Sequence, residues 1–314
     1  MPRTVAITGA TGFIGSHIAA LLARQGWRVR LLTRRLPISP ILAGNRFEAV
    51  IGSLFDNDAI DRLIRGSGAI VHCAGLIKAA DAAEFFAVNA TATGRLAAAA
   101  AAMAAPPRFI LLSSLAAREP ALSHYAASKH AGELALAEAA GAMPWLALRP
   151  PVVYGPGDRE TLLLFRAILA GHVVLPPPAN RLSMIHAEDV AGAVATALES
   201  RQTGLICEID DGKPGGYDWR EVVAIAAAAT GRAARALTLP RRLFQAAALA
   251  SELAARLSGR PTIFSRGKVR EMFHPDWVCR PSTLGGSAPW RPRIGLAQGI
   301  VGTLAWYRQQ GWLA

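Results

Sequence analysis

The sequence predicts an α/β fold, a doubly wound parallel sheet followed by a smaller C-terminal lobe, on three observations. Short apolar, β-branched runs alternate with helical stretches through the first 155 residues. A glycine-rich turn stands between the first such run and the first helix. Beyond about residue 155 the alternation loosens, with Pro/Gly-rich joints at 174–179 and 211–216. Alternating strands and helices place crossovers on both faces of a parallel sheet, and strands covered on both faces read as continuous apolar runs.

Taken in order, "TVAITG" (4–9) reads as a strand and about 12–25 as a helix. "WRVRLLT" (27–33), "FEAVIG" (47–52) and "AIVHCAG" (69–75) read as strands. A long alanine-rich helix follows and ends before Pro106, whose ring cannot continue it. "RFILLSS" (108–114) is a strand, "HYAASKH" (124–130) lies on a helix, and "WLALRPPVVYG" (145–155) is a further strand. In the second half "LSMIHA" and "LICEID" read as strands, and helices are expected near 187–199, 218–230, 241–258 and 296–310. The expected organisation is a core over 1–155, to which elements near 183–210 return. A smaller, interleaved lobe occupies most of 156–314.

Composition narrows the class. Hydrophobic residues make up 52% and charged residues 18% of the 314, which suits a packed globular chain and excludes a disordered one. No apolar run is long and uncharged enough to span a bilayer; "LAAAAAAMAA" (96–105) is too short. "MPRTVAITGA" enters a strand at once, so no signal peptide is expected. Cys73, Cys207 and Cys279 are widely spaced and match no metal-ligand pattern. A reduced, cytoplasmic protein without a metal is the expectation. The formal charge of +12 favours anionic partners such as phosphorylated cofactors or acidic lipids, although an Ala- and Arg-rich genome accounts for it equally. The basic residues are not interleaved with aromatics, which argues against a nucleic-acid groove.

The turn "TGATGFIG" (8–15) places Gly9, Gly12 and Gly15 three apart. Glycines between a strand and a helix allow a tight turn and let a pyrophosphate approach the N–H groups of the helix N-terminus. Thr11, Phe13 and Ile14 share that loop. At the end of the second strand an acidic residue would bind the adenosine ribose and repel a 2′-phosphate. The chain has Thr33, Arg34 and Arg35 instead. Two arginines and no carboxylate favour NADP over NAD, unless both are merely solvated. Tyr125 and Lys129, four apart on a helix, present a phenol and an ammonium side by side. A free phenol, with a pKa of about 10, is a poor acid–base catalyst at neutral pH; a neighbouring positive charge lowers that barrier.

The combination of "TGATGFIG", Ser113–Ser114 at a strand end, "YAASK", "LRPPVVYGPGD", "VNATATGRL" and "MIHAEDVA" resembles the extended short-chain dehydrogenase/reductase family, over nearly the whole chain. The resemblance implies a Rossmann-type sheet that binds NAD(P), with a smaller substrate-binding lobe. It implies that Tyr125 exchanges a proton with a substrate oxygen while hydride moves at the adjacent carbon. Ser114, rather than Ser113, would hold that oxygen, and Lys129 would hold the nicotinamide ribose. Asn89 would help to organise the site, the alternative being a satisfied structural amide. Further cofactor contacts fall on Ser53, Leu54, Cys73, Ala74, Gly75, Pro150, Val152 and Val153. His72 and Cys73, taken singly, read as packing. Glu188 and Asp189 read as a helix N-cap region. Many relatives form dimers, so a homodimer is an open expectation.

Three departures bear on substrate. Ser53 stands where many relatives carry an Asp that meets adenine. The loop "SSLAAREPALSHY" lacks a second tyrosine. Val152 stands where sugar-nucleotide epimerases of the family carry an Asn. Arg181, by contrast, matches the arginine those epimerases use for a pyrophosphate. The leading expectation is a dehydrogenase/reductase that interconverts a ketone and a secondary alcohol on an apolar or amphipathic substrate, in the hydroxysteroid dehydrogenase/dihydroflavonol reductase-like branch. Substrate contacts would come from Ser114, Tyr125, Val152 and Arg181. The alternatives are a nucleotide-sugar epimerase or dehydratase that keeps its cofactor, and a non-catalytic NADP sensor. The segment "RRLFQAAALASELAARLSG" has helically spaced apolar residues. It could line an apolar pocket, touch lipid at the membrane surface, or pack as an ordinary lobe helix.

Overall fold

The structure is a computed structural model that describes residues 3–35, 39–176, 180–258, 262, 264–280, 283–285 and 289–313, without the Arg256 side chain. Its strands are β1 (Thr4–Thr8), β2 (Arg28–Thr33), β3 (Glu48–Ile51), β4 (Ala69–His72), β5 (Arg108–Leu112), β6 (Trp145–Arg149) and β7 (Val152–Tyr154). They continue as β8 (His172–Leu175), β9 (Arg181–Leu182), β10 (Met184–His186), β11 (Leu205–Glu208), β12 (Tyr217–Asp218), β13 (Arg235–Thr238) and β14 (Asp276–Trp277). The helices of the first half are α1 (Phe13–Arg24), α2 (Asn57–Ile64), α3 (Ala82–Phe86), α4 (Ala92–Ala101) and α5 (His124–Ala139). Those of the second are α6 (Arg159–Leu169), α7 (Ala187–Glu199), α8 (Trp219–Thr230), α9 (Arg241–Ser258), α10 (Arg266–Met272) and α11 (Leu296–Gln309).

Seven strands form one parallel sheet in the order β11-β6-β5-β4-β1-β2-β3. This is the Rossmann-type α/β fold that the alternation predicts. Alternate residues of each strand face opposite sides. Val5, Ile7, Ile110 and Leu112 therefore pack under α1 and α7, with Ile18, Leu22, Val190 and Val194. Ala6, Ile70, Phe109 and Leu111 pack under α2, α4 and α5, with Leu63, Leu96 and Leu136. The chain runs outward through β1, β2 and β3 and then returns to place β4 on the other side of β1. That reversal opens a crevice at the carboxyl ends of β1 and β4, where ligands of such sheets bind.

The structure departs from the expected elements at identifiable residues. The strand expected over 145–155 is two strands. Pro150 and Pro151 cannot donate ladder bonds, so β6 stays in the main sheet while β7 leaves it to pair with β10. The long helix before Pro106 is α3, a π-helical turn at Ala87–Thr91, and α4. Residues 177–179 of the expected 174–179 joint lie outside the described residues. A third apolar cluster, including Tyr154, Phe165, Val222, Ile300 and Tyr307, forms around α6, α8 and α11. Among the described residues no helix is long and apolar enough to cross a membrane.

Candidate active site

The crevice floor is built by glycines. Gly9 has φ +71°, and a Cβ there would lie 2.5 Å from the Ala74 amide nitrogen; one on Gly15 would lie 2.2 Å from the Gly9 carbonyl oxygen. Both positions therefore need glycine for close packing of the turn onto the end of β4 and onto α1. Gly12 caps α1 with no side chain bonded across the cap and no acidic residue in the first turn. Its neighbour Thr11 is exposed, and Phe13 and Ile14 are half-buried. The helix thus offers free N–H groups and its positive dipole end to an anion. Cys73, Ala74 and Gly75 leave β4 on the opposite wall. Burial pushes the Cys73 thiol up to about 12, with Lys129 pulling the other way, so it is no nucleophile. His72 is buried between Thr8 (2.6 Å) and Thr93 (3.0 Å). Burial, and then Lys129, lower its pKa to about 3, which keeps it neutral.

At the end of β2, the buried Thr33 hydroxyl donates to the Arg35 carbonyl (2.8 Å). Arg34 and Arg35 are exposed, and neither guanidinium has a side-chain partner among the described residues. Ser53 and Leu54 lie half-buried just past β3, and the Ser53 hydroxyl accepts the Phe55 N–H (3.2 Å). No carboxylate stands at the Thr33 position. These groups, with the glycine floor, fit a dinucleotide whose adenosine end meets positive charge.

The two serines after β5 have different partners. Ser113 is buried and donates to Glu133, which is 1% exposed and also accepts two bonds from Arg149 (2.8 and 2.6 Å). Ser114 is half-buried; its hydroxyl accepts the Ala116 N–H (3.2 Å), and it acts on the Tyr125 phenol to lower its pKa. Ser123 caps α5 by accepting the Ala126 N–H (2.9 Å), which sets Tyr125 in the first turn of that helix. Burial raises the Tyr125 pKa. The Ser114 bond lowers it, Glu271 raises it and Lys268 lowers it. Lys268 of α10 is thus an ammonium that acts on the phenol beside the Lys129 expected from the sequence. For Lys268 itself burial acts downward, but Glu271, Tyr125 and Glu160 more than offset it and its pKa is raised.

Lys129 is buried one turn further along α5, and its Nζ donates to the Leu112 carbonyl (2.7 Å). Burial lowers its pKa to about 8, against Glu133 and Cys73, which raise it. Asn89 sits in the π-helical turn, 3% exposed. Its carbonyl oxygen accepts the Leu76 N–H (2.8 Å), and its amide donates to the Leu76 carbonyl (3.0 Å) and to Ser128 (2.9 Å). It ties the loop after β4 to α5 and is fully satisfied, which suits a positioning residue. A Cβ on Gly132 would lie 2.2 Å from the Asn89 carbonyl oxygen, so glycine lets α5 close onto that turn.

Towards the second half, the buried Pro150 accepts the Leu115 N–H (2.8 Å), which fixes the loop holding Ser114. Val152 is 39% exposed, and Val153 packs on the core. The Arg181 guanidinium donates to the carbonyls of Gly215 and Gly216, so two of its donors hold a turn. Sequence reasoning missed Glu133, Arg149, Lys268 and Glu271. Glu133 had a signal, as the charged residue four after Lys129 in an alanine-rich helix. Glu271, which accepts from Ser123 and pairs with Lys268 (3.0 Å), had none.

The profile of the NAD dependent epimerase/dehydratase family matches residues 5–209. A ceramide reductase of Caulobacter vibrioides is 43% identical over 98% of this chain and 96% of its own length. Sterol demethylase protein B of Methylococcus capsulatus is 24% identical over 98% of this chain and 99% of its own. Among solved structures, the dTDP-glucose 4,6-dehydratase of Streptomyces venezuelae, determined with NAD bound, superposes with a TM-score of 0.73. It is 23% identical and covers 99% of this chain and 98% of its own.

Proposed function

The chain belongs to the NAD-dependent epimerase/dehydratase family and is an enzyme of the extended short-chain dehydrogenase/reductase type; from that premise we propose that it reduces a ketone on a ceramide-class lipid to a secondary alcohol. One observation carries the reaction: Ser113 is committed to Glu133, which leaves Ser114 as the serine that acts on the Tyr125 phenol. With its pKa raised, Tyr125 keeps its proton at neutral pH and can give it to a carbonyl oxygen. Ser114 hydrogen-bonds that same oxygen as charge develops on it. Lys129, near its own titration range, brings a positive charge to the crevice wall between Gly75 and Leu112. When bound, the nicotinamide supplies the hydride. Gly9, Thr11, Gly12, Phe13, Ile14 and Gly15 would hold its pyrophosphate, and Arg34 and Arg35 its adenosine end.

The substrate class is supported by the ceramide reductase that matches along nearly the whole of both chains and by the apolar, exposed Val152. The epimerase alternative drew on Arg181, but two of its donors are bound to a turn. Incubation with UDP- and dTDP-sugars, beside an N-acyl 3-keto sphingoid lipid in micelles, separates the two. Oxidation of reduced cofactor by the lipid alone is expected. Sugars epimerised without net change in nicotinamide absorbance would refute the reductase reading.

For the cofactor we expect NADP(H) to bind more tightly than NAD(H). A 2′-phosphate meets two unpaired guanidinium groups and no carboxylate, and arginine can grip phosphate with two charge-assisted bonds. Solvent exposure weakens each pair, so the preference should be about 1–3 kcal/mol, or roughly 5–150-fold in affinity. Titration calorimetry of wild type and an Arg34→Ala/Arg35→Ala variant measures it. A preference that survives the loss of both arginines would move selection to Ser53 and its neighbours.

A further inference from the structure

The outward face of α9 is apolar and uncovered. At 3.6 residues per turn, Leu243, Ala246, Ala250, Leu253, Ala254 and Leu257 share one side of the helix. All six are exposed, Leu253 at 51% and Leu257 at 91%. The opposite side is the one that packs: Phe244 and Ala248 are buried against Val269 of α10, with Leu239, Phe264, Met272 and Phe273 around them. α9 is therefore apolar on two sides, of which the one carrying Phe244 and Ala248 is packed and the other is exposed.

Charge marks the same region. Residues 232–272 carry nine Arg or Lys and two acidic residues, Glu252 and Glu271. Glu252 is paired with Arg266 (2.8 Å) and Glu271 with Lys268 (3.0 Å). Arg241 and Arg242 stand exposed at the start of α9, with Arg235 on β13 before them. Arg266, Lys268 and Arg270 follow on α10. A helix with one wholly apolar face beside a dense positive field is complementary to a surface that is apolar within and negative without.

The helix also sits beside the reaction site. α10 touches the cap of the catalytic helix, since a Cβ on Gly267 would lie 2.9 Å from that of Ser123. Arg270 donates to the Leu122 carbonyl (2.6 Å), and Lys268 and Glu271 act on Tyr125. We propose that the exposed face of α9 docks into the surface of an anionic lipid bilayer and holds the mouth of the catalytic crevice against it. The docking stands on this geometry alone; its use, delivery of an apolar ketone without passage through water, rests on the function proposed above.

Flotation with vesicles tests the docking without substrate or cofactor, so its outcome is separate from that of the reaction. Wild type should float with vesicles of phosphatidylcholine and phosphatidylglycerol, less with phosphatidylcholine alone, and less again in high salt. A Leu253→Glu/Leu257→Glu variant should keep the wild-type melting temperature, because both side chains are exposed. It should lose about ten-fold or more of its partitioning, as two leucines no longer leave water. Wild type that ignores both kinds of vesicle would overturn the proposal, as would a variant that floats as well as wild type. A wild-type dimer that this variant dissociates, with vesicles ignored, would assign the face to a second copy and overturn it equally.

Discussion

Replacing Tyr125 with Phe is expected to lower turnover about 10²–10⁴-fold, the usual contribution of a positioned proton donor, and to leave cofactor affinity nearly unchanged. The ring and its packing against Phe85 (centroids 6.1 Å apart) remain. Only the hydroxyl on which Ser114 acts is lost. Because the burial of Tyr125 keeps its proton in place, the loss falls on the donation step and not on binding. Single-turnover kinetics beside a cofactor titration reads both quantities. A Phe variant with full turnover would mean that another group supplies the proton.

Glu133→Ala is expected to cost about 3–5 kcal/mol of stability, the usual result of breaking a buried charge pair by removing one partner. Glu133 accepts from Arg149 twice and from Ser113 once while almost wholly buried. Its removal leaves the Arg149 guanidinium, only 13% exposed, without its anion between α5 and β6. A Glu133→Leu/Arg149→Met double variant should recover most of the loss, since apolar replacement of both partners is often neutral. Urea unfolding of the three proteins decides it. A single variant within about 1 kcal/mol of wild type would show that water or other groups satisfy Arg149.

The parts of the fold legible in sequence are those where one local rule acts alone. β1, β4 and β5 are apolar-rich runs buried on both faces, and buried runs announce themselves. β9, β12 and β14 pair over two residues each, too short for any periodicity to register. Across 145–155 apolar residues on both sides favour one continuous strand, and the missing donors of Pro150 and Pro151 divide it into β6 and β7. In the site, the glycine turn and the Tyr125/Lys129 spacing were readable, since each is local. The resemblance favours Ser114 over Ser113; the bond that occupies Ser113, to Glu133 one turn beyond Lys129, is made by the tertiary fold. Lys268 and Glu271 act on Tyr125 by charge from α10, a relation made by the tertiary fold alone. The i, i+4 spacing places Lys129 one turn from Tyr125, but the Leu112 carbonyl that its Nζ meets is supplied by β5 and is not legible in that spacing.

The central claim is net reduction of a lipid ketone, and the fate of the transferred hydrogen tests it most directly. The enzyme is incubated with an N-acyl 3-keto sphingoid lipid and reduced cofactor carrying deuterium at the transferable position, and the product is weighed. The account predicts an alcohol one mass unit heavier than that formed with unlabelled cofactor, with one oxidised nicotinamide for each alcohol made. An unlabelled product, or an intact ketone beside sugar nucleotides epimerised with no net oxidation of cofactor, would contradict it.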